Sequence, residues 1–237
     1  MRVAMHQPHY LPWLGLIDKI DRCDLFVVLD NVQYDRKGWQ NRNYVASRNG
    51  PVLLTVPVRQ RSRDELVADK SIDESRPWRE KHRRTIAEHC YRGAPFWPDF
   101  GPEILRLYQT RWDRLADLAM ATTRLLLDRF GVRTPVVRAG ALGEFPGRKS
   151  ELLAQVAAKV GADTLLSGDG ARDYLDHDVL RRYGVRVEWQ GFRHPEYRQH
   201  GRAGLPFLPR MSALDLLMNA GPGGIDLVRA GRTGGAG

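Results

Sequence analysis

Short apolar runs bounded by proline and glycine alternate along this chain with stretches of helical spacing. Residues 2–5 (RVAM) read as a first strand entering the loop HQPHYLP, where Pro8 and Pro12 lack the amide hydrogen that a central ladder needs. Leu14, Ile17 and Ile20 share one face of a short helix over 14–21. Leu25–Leu29 (LFVVL) is an unbroken run of strand length, the pattern of a strand buried on both faces, and it ends in Asp30-Asn31. Val52–Val58 (VLLTVPV) is a second such run, and the polar loop between the two suggests a hairpin or meander carrying an insert. Residues 59–80 mix charges of both signs without an apolar period and read as a loop or lid. A helix from Trp78 to Cys90 follows, with Ser75 available as a cap ahead of Pro77. GAPFWPDFGP (93–102) reads as loop, and Glu103–Phe130 as one long helix with its stripe through Ile104, Leu107, Leu115, Leu118 and Leu126.

In the second half, Val136–Val137 is a short strand, and Ser150 caps a helix that runs to Val160. Thr164–Leu166 is a strand delivering the polar turn Ser167-Gly168-Asp169-Gly170. A helix over Tyr174–Tyr183, a strand over Val185–Gln190 and a last helix within 211–222, capped near Ser212, complete the pattern. Strands and helices interleave without a linker. The expectation is therefore one α/β domain over 1–222, a mixed sheet with flanking helices, followed by a disordered tail over 223–237.

The 237 residues suffice for a core without staples, and Cys23 and Cys90 set no disulfide framework, which suits a reducing compartment. Charge and histidine stand where a signal peptide would be unbroken and apolar, and no run of about 18 apolar residues occurs. A cytoplasmic location without a membrane span is expected. The net charge is +9; six of the 37 basic residues are lysine, so the excess is arginine. Such an excess either steers a phosphate-bearing partner or reflects an arginine-rich solvated surface.

Four constellations carry candidate chemistry. The first is His6-Gln7-Pro8-His9-Tyr10, where a near-neutral base, an amide and a phenol meet at a strand's carboxyl end, the place where open α/β sheets bind ligands. His6 and His9 also invite a metal, but no second ligand pair has the required spacing, so no metal or cofactor is expected. The second spans Asp30, Gln33, Lys37, Trp39, Gln40, Asn41 and Arg42: a carboxylate for acid/base work, cations for phosphate and an indole for stacking. The third is Ser167-Gly168-Asp169-Gly170 with Tyr174, a turn that admits close backbone approach but lacks the spacing of a Rossmann or P-loop fingerprint. The fourth is Phe192-Arg193-His194-Pro195-Glu196-Tyr197-Arg198-Gln199-His200. It lies in a segment, 181–210, with seven arginines against two glutamates, read as one wall of an anion cleft or as a solvated basic face.

The ordered strings MHQPHYLPWLGLIDKI, LFVVLDNVQYDRKGWQNRN, LLTVPV, GADTLLSGDGARDYL, FRHPEYRQ and LPFLPRMSALDLLMNAGP together resemble the WbqC-like protein family, over roughly residues 1–222. The resemblance implies a role in surface-polysaccharide (O-antigen) or secondary-metabolite biosynthesis as an aminoacyl, specifically glycine, transferase. On that reading His6 or His194 is the general base and Asp30 a further acid/base group. Gln7, Asn41 and Ser167 orient the acyl group, while Lys37 and Arg42 hold phosphate of a nucleotide-linked sugar or of the activated donor. Tyr10, Gln33, Gly168 and Tyr174 would complete the substrate contacts. Aminoacyl-tRNA is one possible donor. Two other classes stand beside it: a non-enzymatic nucleotide-sugar binding module and a nucleic-acid-binding protein.

Overall fold

A computed structural model describes residues 1–232. Val3, Ala4 and Met5 are fully apolar and buried, and they set β1 (Arg2–His6) in the middle of a sheet. The chain returns through α1 (Leu14–Asp21) to β2 (Leu25–Val28), which lies parallel to β1 with His6 opposite Val28. A long insert precedes the next sheet strand. It contains the hairpin β3 (Arg42–Ser47) and β4 (Gly50–Thr55), then α2 (Trp78–Arg84), which runs on as a π-helical turn over 85–91, then α3 (Trp97–Gln109) and α4 (Leu115–Arg129). β5 (Val136–Arg138), α5 (Ser150–Lys159), β6 (Thr164–Ser167), α6 (His177–Arg182) and β7 (Arg186–Trp189) close the sheet. Then come α7 (Ala213–Ala220) and α8 (Gly224–Ala230). Among the described residues no helix is long and apolar enough to cross a membrane.

The α/β expectation holds, with parallel and antiparallel pairing segregated. The five-stranded sheet has the order β5-β2-β1-β6-β7 and is parallel throughout, while antiparallel strands occur in the separate β3–β4 hairpin. Alternate residues of β1 and β2 feed two cores. Ala4, Phe26 and Val28 pack with α1, α4 and α7; Val3, Met5, Val27 and Leu29 pack with α5 and α6. The chain thus covers one face of the sheet, returns to β1's other side and covers the second face. That reversal places a topological switch point between the carboxyl ends of β1 and β6, where ligands of doubly wound sheets bind.

Several sequence expectations change. The strand at 50–55 pairs with Arg42–Ser47, not with Leu25–Leu29, because Tyr44 and Val45 meet Leu53 and Val52 while β2 is claimed on both sides by β1 and β5. The long helix over 103–130 is two. Residues 110–114 leave the helical path to bond elsewhere: Ile72 N–H donates to Asp113 O and Leu115 N–H to Lys70 O. The first of the two helices begins at Trp97, inside the expected loop. Ser75 and Ser150 cap neither adjacent helix; the Ser150 hydroxyl instead accepts from Asp176 N–H ahead of α6. The tail expected to be disordered from 223 holds α8, whose Ile225 and Val228 are buried; its Arg229 pairs with Asp21, and Arg232 just beyond it pairs with Asp18 and Asp21. Residues 233–237 lie outside the described residues.

Candidate functional site

The loop leaving β1 is fixed from every side. Tyr10 N–H donates to Gln40 O at 3.1 Å, Leu11 N–H to the Thr122 hydroxyl at 3.0 Å, and Asn43 Nδ2 to Leu11 O at 2.6 Å. Ala213 N–H donates to Pro12 O at 2.7 Å. Leu11 has φ of 48°, a left-handed conformation that a branched side chain resists and that persists where the surroundings over-determine it. The loop is consequently a rigid mount for His6 and His9.

His6 ends β1 on the α1 side of the sheet. Its Nδ1 lies 3.0 Å from Gln7 O, and a carbonyl only accepts, so Nδ1 carries the proton and Nε2 keeps its lone pair. Burial lowers its pKa from 6.5 to about 4, with the charge of Lys19 acting in the same direction, so the imidazole is neutral. His9 stands edge-on to it, ring centroids 4.5 Å apart, is 8% exposed, and has a buried Nδ1 without a partner among the described residues. Gln7 Oε1 accepts from Gln40 Nε2 at 2.5 Å, which leaves the Gln7 amide NH₂ as the end free to donate. Gln40, fully buried, also accepts from Asp35 N–H and so ties the 34–40 loop to this mount.

Across the switch point stand Ser167 and Gly168, at the end of β6. A Cβ built on Gly168 would lie 3.3 Å from Lys19 Nζ and 3.8 Å from Gln190 Oε1, so the ammonium sits against bare backbone. Lys19 comes from α1, where side chains lean toward the helix N-terminus and carry its stem back to the sheet's carboxyl edge. It is 7% exposed. Burial lowers its pKa from 10.5 to about 8, against the pull of Cys23, Asp169 and Asp18. Both carboxylates are committed elsewhere. Asp18 accepts from Gln190 Nε2 and Arg232 Nε, while Asp169 accepts from Arg172 and from Gly191 N–H.

Other expected site residues are held by contacts within the fold or stand on the surface. Tyr10 is fully buried, its hydroxyl bonded to His82 Nδ1 at 2.9 Å and to the Tyr108 hydroxyl at 2.5 Å, so it faces the core and not a substrate. Asp30 ends β2 beside His6, but Arg138 Nε and Gly140 N–H occupy both its oxygens. Asn41 donates to Val56 O, and Arg42 binds Asn41 Oδ1 and Arg36 O, within the hairpin. Gln33 is exposed and donates to Arg63 O; Lys37 and Tyr174 are exposed.

His194 spends both nitrogens. Nδ1 donates to Pro195 O at 2.8 Å and Nε2 accepts from Arg210 N–H at 3.2 Å, leaving no lone pair for a proton from substrate. It borders an open cleft of about 310 Å³ with Arg193 and Arg232, but Arg232 is engaged by Asp18 and Asp21. Its neighbours form a clip: Tyr197 and Gln199 bond the buried Asp215 of α7, and Arg202 bonds the carbonyls of Ser47, Arg48 and Pro206. The basic segment is therefore mostly a structural strap, and it meets the end of β6 just before its aromatic motif, where Trp189 pairs with Ser167 and Gln190 N–H donates to Ser167 O.

Reading along the chain missed Lys19 and Gln190, and it placed Gln40 in the second constellation without giving it a role. Lys19 lies off the Leu14–Ile17–Ile20 stripe and reads as solvated; it is buried because the sheet and α8 enclose α1 on more than one side. Among the described residues no group of three His, Cys, Asp or Glu side chains is placed to hold a metal ion.

No solved structure matches the chain. The uncharacterized protein Rv1507c of Mycobacterium tuberculosis (strain ATCC 25618 / H37Rv) is 29% identical over 231 residues, covering 96% of this chain and 97% of that protein. The model of the WbqC-like protein family matches residues 7–227, from the β1 loop through most of α8, and the chain belongs to that family.

Proposed function

We propose that the chain is a group-transfer enzyme that moves an activated aminoacyl group, glycine foremost, onto the amino group of a phosphate-bearing small molecule such as a nucleotide-linked amino sugar. The observation that carries this reading is His6, neutral, fixed in one tautomer, with Nε2 unengaged at the switch point. In the transfer the substrate amine attacks the acyl carbonyl and His6 Nε2 takes the proton the nitrogen loses. The C–N bond forms, the tetrahedral intermediate collapses, and the imidazolium returns that proton to the departing group. The free NH₂ of Gln7, oriented by Gln40, is the donor for the developing oxyanion.

The donor is an aminoacyl ester or thioester, and aminoacyl-tRNA is one such ester. Trp39, 45% exposed and tilted against Tyr44 beside exposed Lys37, supports a nucleic-acid contact on the hairpin loop. Purified chain with glycyl-tRNA or a glycyl thioester and a nucleotide-linked amino sugar should yield the amide by mass spectrometry. His6→Ala should lower kcat by about 10²–10⁴ with KM nearly unchanged. Unaltered turnover in that variant would remove His6 from the mechanism. Ligand binding without turnover in the unmodified chain would favour a binding module instead.

A further inference from the structure

Dinucleotide-binding sheets hold pyrophosphate at the switch point with a glycine-rich turn and a helix N-terminus. This sheet has the switch point without that fingerprint. What stands there is Lys19, whose ammonium makes no ion pair and no hydrogen bond among the described residues. A lysine that is nine-tenths buried without a counter-ion is unfavourable for the fold, because desolvation is not offset by pairing. The nearby His9 offers a second buried polar atom without a partner, Nδ1. A Cβ at Gly168 would lie 3.3 Å from Lys19 Nζ, so the glycine lets the ammonium lie directly against the β6 backbone.

We propose that Lys19, His9 and Gly168 form an oxyanion site between β1 and β6, which takes the phosphoryl group of the small-molecule substrate. This names the group held in the transferase reading above, but binding is measured without turnover, so the two can fail separately. Lys19 supplies the charge, His9 an N–H, and Gly168 close approach of main chain. The charged and titratable groups around the ammonium are Asp18 from its own helix, Asp169 from the turn after β6, Cys23, and His6 and His9 after β1. Asp18 and Asp169 are each matched by an arginine, the Cys23 thiol is pushed up to about 12 and stays protonated, and both histidines are neutral. Lys19 is thus the uncompensated charge of the cluster. An oxyanion bound to it also cancels the field that disfavours the His6 imidazolium, so substrate arrival makes His6 a stronger base.

The test is titration of the full chain with inorganic phosphate, pyrophosphate and acetate at constant ionic strength, read by calorimetry and by Tm. Saturable binding with a rise in Tm is expected for phosphate and pyrophosphate. Affinity should fall about tenfold per pH unit above 8, as the ammonium loses its proton. Lys19→Met, unbranched and apolar, should weaken binding at least tenfold while Tm without ligand stays level or rises. Gly168→Ala, with its methyl against Nζ, should also weaken binding, and His6→Ala should retain it. No saturable response to phosphate or pyrophosphate, a response confined to acetate, or an unchanged response in both Lys19→Met and Gly168→Ala would overturn the proposal.

Discussion

His82 shows how a histidine can be spent entirely on structure. It takes the Tyr10 hydroxyl at Nδ1 and bonds the Thr55 carbonyl with its other nitrogen, while Tyr108 donates to Tyr10. The chain of donors is complete only with a neutral imidazole. Tyr10→Phe removes the middle link and leaves a buried nitrogen and a buried hydroxyl short of partners. We expect a loss of about 1–3 kcal/mol in urea unfolding with the proposed transfer activity unchanged; a drop in kcat instead would restore Tyr10 to the substrate side. Residues of one short motif thus part ways, His6 at the switch point and Tyr10 in the core. The string HQPHY announces polar chemistry, but which of its side chains enters the core is fixed by a loop path that turns left-handed at Leu11, for which a leucine gives no sign. Asp30 illustrates the same limit. Its place at a strand end is legible, whereas its partner Arg138 is 108 residues away and known only once β2 and β5 pair.

At the scale of elements, regular spacing located most helices and strands, and the errors arose where long-range bonds outweighed local preference. The break at 110–114 is one, since the peptide groups there bond residues 70 and 72 instead of the next helical turn. α8 is another. Its glycine-rich surroundings conceal two buried apolar residues and two arginines that match the acidic face of α1. Missing α8 at the sequence level also hid Lys19, because the acidic side of α1 then looked solvated. Ending the chain after Gly221 removes Ile225 and Val228 from the core and leaves Asp18, fully buried, without Arg232. The expected cost is at least about 3 kcal/mol, from apolar burial alone at roughly 1.5–3 kcal/mol per side chain. Denaturant unfolding of the truncated chain checks this; equal stability would mean that α8 merely rests on the surface.

At the scale of the whole molecule, buried histidines set an acid limit on the fold. His6 and His82 are both lowered to about 4, chiefly by burial, while in the unfolded chain they titrate near 6.5. Between those values the unfolded state binds more protons, so stability is intact above pH 6.5 and declines as pH falls toward 4. At about 1.4 kcal/mol per unit, His82 alone accounts for roughly 3 kcal/mol of that decline. Melting at pH 7 and pH 5 should show a marked drop in Tm, and His82→Asn should make the drop shallower; a flat profile would mean that these rings take up protons without unfolding.

The long insert between β2 and β5 has a kinetic consequence. Phe26 pairs with Val136 across 110 residues, and β1 pairs with β6 across a greater distance still. The equilibrium cost of such spans is small, since halving a loop recovers only about 0.6 kcal/mol. The rate is another matter, because parallel partners this far apart must find each other before their contacts contribute anything. Refolding should therefore be slow, with the antiparallel hairpin forming early from neighbouring residues and the central strands assembling last. The switch point, built on the seam between β1 and β6, would then be among the final features to appear, and regain of anion binding should lag behind regain of helical signal during refolding from urea.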